Sequence, residues 1–294
     1  MSCNHHKILI IGGSSYIGRC LTARLTDKYD IISTFFFHKE KISFGKKKYL
    51  DIRDSASVAR IINSTQPHVI YLLSYALDDL EGTIIRVTFN VMKAAGSLPS
   101  RVIFISTDAV FGGRNKKYYE NDIPDYINEY GRAKYEAEKI VLNNGGFVVR
   151  SSLVYGFQPL DIRTSQLLDD LQKGTTRIAY FSDEFRCPIS VNDLCYMLAE
   201  MVNREAPKIL HMTGPECVSR MDFACKIARA FNFSLKSVKT ALLIESGLNR
   251  PRRLCLDSSL TQKALSHRIR SVDEVLSEYV PNGRTHTRRS SHIK

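Results

Sequence analysis

The passage from Lys7 to Asp27 constrains the fold more than any other part of the chain. A run of four branched apolar residues, Ile8-Leu9-Ile10-Ile11, leads straight into Gly12-Gly13-Ser14-Ser15-Tyr16-Ile17-Gly18, and a helical pattern begins at once. A strand can reverse into a helix this abruptly only where a residue tolerates unusual backbone angles, and Gly12 supplies that freedom. Gly18 lets helix and strand pack closely. The backbone N–H groups of Ser14, Ser15, Tyr16 and Ile17 then stand at a helix start, where they suit a pyrophosphate. The position is that of a dinucleotide site, although an ordinary tight βα turn without a ligand has the same local pattern.

The rest of the N-terminal half repeats the unit. Strands are expected over Lys7 to Ile11, Asp30 to Phe36, Val69 to Leu73, Arg101 to Ser106 and Phe147 to Arg150. Helices are expected over Tyr16 to Asp27, Ser55 to Ser64, Ile84 to Gly96 and Glu129 to Asn143, where apolar residues recur every three or four positions. Alternation of this kind predicts an α/β fold with a doubly wound parallel sheet, the Rossmann arrangement. Beyond Tyr155 the pattern loosens, with helices near Thr164 to Lys173, Val191 to Asn203 and Met221 to Phe231. The expected organisation is a dinucleotide-binding core over 1–155 and a smaller substrate lobe over 156–280 with strands returning to the core. A basic, disordered tail is expected over 281–294.

The chain has 294 residues and a formal net charge of +12. Much of the excess lies in short runs: Lys46-Lys47-Lys48, Lys116-Lys117, and the tail through Arg284, Arg288, Arg289 and Lys294. No long basic helix or RNA-binding aromatic signature accompanies them, so no nucleic-acid partner is expected and phosphate-bearing small molecules are the better anionic match. Cys3, Cys20, Cys187, Cys195, Cys217, Cys225 and Cys255 form no C-x-x-C pair and read as buried, reduced thiols. The first residues lead into an apolar run far too short for a signal peptide or membrane span, which points to the cytoplasm. His5 and His6 have no spaced partners, so no metal is expected and the start of the chain reads as a disordered polar segment.

An NAD site usually carries Asp or Glu at the end of the second strand, to bind the ribose 2′-OH. Here that strand ends in His38 and Lys39, and the first acid is Glu40. Those residues welcome a 2′-phosphate, which makes NADP(H) the expected cofactor; a merely solvated loop is the other reading.

The catalytic candidates follow the strand Arg101 to Ile105. The series runs Ser106-Thr107-Asp108-Ala109-Val110-Phe111-Gly112-Gly113, then Tyr119-Glu120-Asn121-Asp122-Ile123-Pro124, then Tyr130-Gly131-Arg132-Ala133-Lys134. Tyr130 and Lys134 lie four apart on a predicted helix and share a face. A lysine cation near a phenol lowers the phenol's pKa and offers donors to a nicotinamide ribose, so Tyr130 is placed to protonate a carbonyl and Thr107 to orient it. A lone Y-x-x-x-K is usually a surface pair; the signal is the ordered series at successive strand ends.

The series resembles the dTDP-4-dehydrorhamnose reductase family of extended short-chain dehydrogenases/reductases. Leu50-Asp51-Ile52-Arg53-Asp54 looks like that family's adenine-side D-x-x-D segment, and Val149-Arg150-Ser151-Ser152-Leu153-Val154-Tyr155-Gly156 like its R-x-S-x-x-Y-G strand. Asp183-Glu184-Phe185-Arg186-Cys187-Pro188 and Asn249-Arg250-Pro251-Arg252 are similar to its later motifs. The resemblance implies Thr107, Tyr130 and Lys134 as a catalytic triad. It implies Asp51, Ile52 and Ser74 at the cofactor, and Thr107, Asp108, Arg186 and Arg250 at a nucleotide-linked sugar, with a structural salt bridge as the alternative role for either arginine. The implied reaction is NADPH-dependent reduction of a 4-keto-6-deoxy nucleotide sugar. The family also includes the regulatory β subunit of methionine adenosyltransferase. A non-catalytic NADP-binding role beside that enzyme's catalytic subunit is therefore the second implied function, and a homodimer is compatible with both. Gln66-Pro67-His68-Val69-Ile70, Glu120 to Pro124 and Arg250-Pro251-Arg252 are as similar to that subunit as to the reductases. Three places depart from the reductase pattern: Ser15 replaces the middle glycine of the loop, Ala109 stands where tyrosine is common, and Ser74-Tyr75-Ala76-Leu77-Asp78-Asp79 replaces a segment of small residues.

Overall fold

The computed structural model describes residues 6–74, 76 and 78–279. Cys3, His5, Tyr75, Leu77 and the basic tail lie outside the described residues.

The elements alternate as the apolar pattern dictates. In order they are β1 (Lys7–Ile11), α1 (Tyr16–Leu25), β2 (Asp30–Phe35), β3 (Lys46–Tyr49), α2 (Ser55–Thr65), β4 (Val69–Leu72), α3 (Val87–Ala95), β5 (Arg101–Thr107), α4 (Glu129–Asn143) and β6 (Phe147–Ser151). Then follow β7 (Val154–Tyr155), α5 (Ile162–Gln172), β8 (Tyr180–Phe181), β9 (Phe185–Arg186), β10 (Ile189–Ser190), α6 (Val191–Glu200), β11 (Ile209–Met212), β12 (Val218–Ser219), α7 (Arg220–Ala230), β13 (Thr240–Ala241), α8 (Ser259–Ala264) and α9 (Val272–Tyr279). Side-chain oxygens of Ser15, Asp54, Asn128, Asp161, Ser190 and Ser219 cap the starts of α1, α2, α4, α5, α6 and α7, satisfying N–H groups that a helix cannot pair itself.

Seven parallel strands form one sheet in the order β11-β6-β5-β4-β1-β2-β3. Period-two alternation sends Ile8 and Ile10 into a core beneath α1 and α6, and Leu9 and Ile11 into a second core beneath α2, α3 and α4. Strands buried on both faces in this way read as continuous apolar runs. A third core gathers residues of α5, α7 and α9, including Leu167, Leu171, Phe223, Ile227 and Val275. Among the described residues no helix is long and apolar enough to cross a membrane.

Several expectations need correction. Lys46-Lys47-Lys48, read as a charge run, is the edge strand β3, pairing Ile32 to Phe35 of β2 and exposed along its whole length. Lysines suit that place because they discourage further strand pairing at an open edge. The cysteines are not all free: Cys217 and Cys255 form a disulfide, while Cys20, Cys187 and Cys195 are buried thiols and Cys225 is a half-buried one. Residues 38 apart in sequence meet because β12 pairs with β9, whose backbone also binds the 252–254 segment. His6 belongs to no loose start, since its ring stacks on His68 with centroids 4.6 Å apart.

Candidate active site

The sheet order reverses between β1 and β4, so the crevice at their carboxyl ends is where a doubly wound fold receives ligands. Register fixes what meets there. Ile11 lies opposite Leu72, and Leu72 opposite Phe104, which brings Gly12, Ser74 and Thr107 to one end of three adjacent strands.

Gly12 turns the chain at φ 96°, and a Cβ on it would stand 3.0 Å from the Cβ of Ser74. Gly18 is tighter: its Cβ would meet the Gly12 carbonyl oxygen at 2.2 Å, so α1 rests directly on the turn. Gly13 abuts Ser33 of β2, with 2.6 Å from its Cβ position to that of Ser33. Only glycine fits these contacts. Ser15, standing where the family's middle glycine is usual, accepts the Gly18 N–H on its Oγ and so starts the helix. Tyr16 reaches away from the loop, donating its hydroxyl to the Pro159 carbonyl at 2.8 Å, and burial raises its pKa. It ties the start of α1 to the segment between β7 and α5. Ser14 and Ile17 complete the turn, both half-buried.

At the end of β2, His38 adopts a left-handed conformation and its ring contacts the Glu40 carboxylate at 3.2 Å. Lys39 is exposed, with its ammonium 5.9 Å from the centroid of Phe35. Asp51 accepts from Nε and Nη2 of Arg53, whose guanidinium lies 5.2 Å from the Phe36 centroid; these bonds hold the Asp51 carboxyl below its usual range. Ile52 is half-buried against the α2 and α3 core. Arg53, which the sequence did not single out, is held close to the end of the strand that leads to His38 and Lys39.

Thr107 ends β5. Its Oγ1 accepts the Ala109 N–H and donates to Asp108 Oδ1, both at 3.2 Å. Helix α4 is fastened beside it. A Cβ on Gly131 would stand 2.2 Å from the Ala109 carbonyl oxygen, so the first turn of α4, carrying Tyr130, lies against the turn that follows Thr107. One turn on, the buried Lys134 donates from Nζ to the Ile105 carbonyl at 2.9 Å and lies 4.6 Å from the Phe104 centroid. Desolvation lowers its pKa to about 7, against the pull of Glu138.

Glu138 itself escaped the sequence reading, although its spacing of four from Lys134 puts it on the same face. It is fully buried, accepts from Ser106 Oγ at 2.5 Å, and receives Nε and Nη2 of Arg150, the latter at 2.8 Å. A charge pair this deep is costly to break from one side.

Asp108 and Arg186 are brought together, with 3.8 Å between Oδ2 and Nε. Asp108 also accepts from Ser152 Oγ at 2.6 Å, and burial raises its pKa despite the guanidinium. The remaining donors of Arg186 go to Glu184 at 2.9 Å and to the carbonyls of Phe185 and Pro251. Its guanidinium is thus held by protein groups on several sides. Arg250 is exposed, and its neighbour Asn249 donates to the Ile127 carbonyl, one residue before the cap of α4. The segment that carries Arg250 therefore adjoins the helix that carries Tyr130.

The chain is 29% identical to methionine adenosyltransferase 2 subunit beta of Bos taurus over 276 residues, covering 87% of this chain and 81% of the relative. It is 27% identical over 285 residues to dTDP-4-dehydrorhamnose reductase of Aggregatibacter actinomycetemcomitans, covering 88% and 92%. Among solved structures it resembles a hypothetical dTDP-4-dehydrorhamnose reductase from Sulfolobus tokodaii, with TM-score 0.80, 26% identity and coverage of 91% and 97%. It shares the fold of dTDP-4-dehydrorhamnose reductase from Bacillus anthracis in complex with NADP, with TM-score 0.81, 24% identity and coverage of 94% and 98%. The sequence profile of the RmlD substrate binding domain matches residues 6–284, and the chain belongs to that family.

Proposed function

We propose that this chain binds NADP(H) and reduces the keto group of a 4-keto-6-deoxy sugar carried on a nucleoside diphosphate. The observation that carries the reading is the attachment of α4 to the end of β5, with Lys134 bound to the Ile105 carbonyl and Gly131 against Ala109. That attachment holds the helix of Tyr130 and Lys134 beside Thr107, and the chemistry needs all three in one place. The glycine turn fits a dinucleotide, since glycines close the turn and α1 offers its N-terminus.

The cofactor, when bound, supplies hydride. The protein's part is to orient and to move a proton. Thr107 orients the carbonyl oxygen, Tyr130 gives that oxygen a proton, and Lys134 lowers the phenol's pKa while donating to the ribose. His38, Lys39 and Arg53 favour the 2′-phosphate.

A second reading is favoured by one specific observation, the 29% identity to a regulatory subunit over most of both chains. On that reading the same fold binds NADP(H) without turnover and acts on a methionine adenosyltransferase catalytic subunit. Fold does not separate the two. Tyr130→Phe does, because the hydroxyl serves proton transfer and contributes little to cofactor binding. For the enzyme, NADPH affinity stays within a few-fold while NADPH oxidation with a freshly generated 4-keto-6-deoxy nucleotide sugar falls about a hundredfold or more. Absence of wild-type turnover with both dTDP- and UDP-linked substrates overturns the enzymatic reading. Activation of a methionine adenosyltransferase by wild type and Tyr130→Phe alike then supports the second.

A further inference from the structure

The disulfide joins two unlike environments. Cys217 lies exposed in the loop before β12, whereas Cys255 is buried. Arg253 points its Nη1 at the Cys255 sulfur at 3.7 Å, and its guanidinium is fixed 4.0 Å over the Phe185 ring. The two cysteines also line a cavity of about 160 Å³, with Lys117, Cys187 and Asp257 among its walls.

Thiol–disulfide exchange needs an accessible sulfur to attack and a stabilised thiolate to leave. Cys217 offers the first. Cys255, beside a fixed guanidinium, offers the second. We propose that Cys217–Cys255 is a thiol-exchange site, attacked at Cys217 by a small external thiol and opening with Cys255 as the leaving group.

The step balances without any group the chain lacks except that thiol. The external thiolate forms a bond to Cys217 Sγ; the Cys217–Cys255 bond breaks and its electron pair passes to Cys255 Sγ, next to Arg253. A second thiolate, or the second arm of a dithiol, then attacks the mixed disulfide and frees Cys217, which takes a proton. The protein disulfide is reduced and the thiols are oxidised to their disulfide. The buried Cys187 is no internal substitute, because desolvation raises its thiol to about 12 and keeps it protonated at neutral pH.

Opening the bond would act on the segment that adjoins the candidate active site. Residues 251–254 are held to β9 by Phe185 N to Arg252 O at 2.6 Å and Leu254 N to Phe185 O at 3.1 Å. Pro251 O receives Arg186, and Gly113 lies against Arg252 and Arg253. The disulfide is the covalent link between that segment and the approach to β12, so its loss loosens a stretch beginning next to Arg250.

The test uses the full chain, native, in graded ratios of reduced to oxidised dithiothreitol, followed by maleimide labelling and peptide mass spectrometry. We expect Cys217 to become labelled in the native protein, and Cys255 at the same ratio once the quenched samples are unfolded, while the near-ultraviolet circular dichroism of the reduced protein stays native and amides of 250–256 exchange hydrogen faster. Reduced glutathione should leave its adduct on the Cys217 peptide. Oxidised glutathione should modify Cys217 in Cys255→Ser at least about tenfold faster than Cys255 in Cys217→Ser. Arg253→Met should slow opening by about threefold or more through the loss of leaving-group stabilisation, with Arg253→Lys between. Cys217 labelling that appears only in denaturant, an adduct on Cys255, or equal rates for the two serine variants overturns the proposal. Unchanged amide exchange on reduction overturns its consequence for the segment. None of these readouts is turnover, so their outcome stands apart from the catalytic reading.

Discussion

The ammonium of Lys134 makes cofactor binding pH-dependent in a direction that can be worked out. Burial lowers its pKa from the usual 10.5 to about 7, and Glu138 opposes the shift. In the proposed role the charged form is the one that binds, because it donates to the ribose and acts on the Tyr130 phenol. Where pH exceeds the pKa, binding must first restore a proton. Taking the pKa as about 7, roughly half of the lysine is charged at pH 7 and about 3% at pH 8.5, a difference of about fifteenfold or 1.6 kcal/mol. NADPH affinity should therefore weaken about fifteenfold from pH 7 to pH 8.5. The ligand's own phosphate, with its second pKa near 6, changes little over that range. Fluorescence titration of NADPH at fixed ionic strength, in half-unit steps from pH 6.5 to 8.5, measures this directly. Lys134→Met should bind more weakly throughout and show a flat profile. A flat wild-type profile, or a slope that survives in Lys134→Met, refutes the assignment of the lysine.

Three further perturbations probe other parts of the molecule. Gly18→Val, whose Cβ would press to 2.2 Å on the Gly12 carbonyl, should abolish NADPH binding; retained affinity in a folded variant places the cofactor elsewhere. Lys39→Glu should erase most of an NADPH-over-NADH preference of about tenfold, or roughly 1.4 kcal/mol, and an unchanged ratio of the two dissociation constants means that Lys39 only faces solvent. His211, fully buried and with Nδ1 3.1 Å from the Asp257 carbonyl, has its pKa lowered to about 3, chiefly by desolvation and then by Arg150. Between pH 6.5 and 3 the unfolded chain takes up a proton there and the folded chain does not, so stability falls as pH falls, by about 1.4 kcal/mol per unit. Urea unfolding at pH 6.5 and 4.5 should show wild type losing about 2.3 kcal/mol more than His211→Asn, since the unfolded imidazole is already half protonated at pH 6.5; parallel losses within about 0.5 kcal/mol count against it.

What the sequence makes legible follows from how far apart the interacting residues are. The strands β1, β2, β4, β5 and β6 announce themselves because burial on both faces demands unbroken apolar runs, Gly12 because its turn takes φ 96°, and Gly18 because only glycine fits a contact made within one βα unit. β3 stays hidden because an edge strand has no buried face to impose a period, and Lys46-Lys47-Lys48 carries the signature of a solvated loop. The disulfide stays hidden for a different reason: Cys217 and Cys255 are neighbours only through the pairing of β9 with β12 and with the 252–254 segment, contacts that no local pattern encodes.

The candidate site divides along the same line. Tyr130, Lys134 and Glu138 occupy successive turns of one helix, so spacing alone puts them on one face, and Glu138 was discoverable by extending the rule that found the first two. The role of that third residue was not, because its partners Ser106 and Arg150 come from β5 and β6. The arginines make the distinction sharper. Arg186 sits in a motif that resembles one of the reductase family, and in the fold its donors reach Asp108, Glu184 and two backbone carbonyls; Arg53, passed over in the sequence, lies on Phe36 close to the end of β2 and likewise gives Nε and Nη2 to a carboxylate, that of Asp51. Guanidinium geometry serves carboxylates and phosphates equally well. A motif can thus assign an arginine to a neighbourhood, and only the carboxylates that the fold brings within reach decide how much of its charge is left for a ligand.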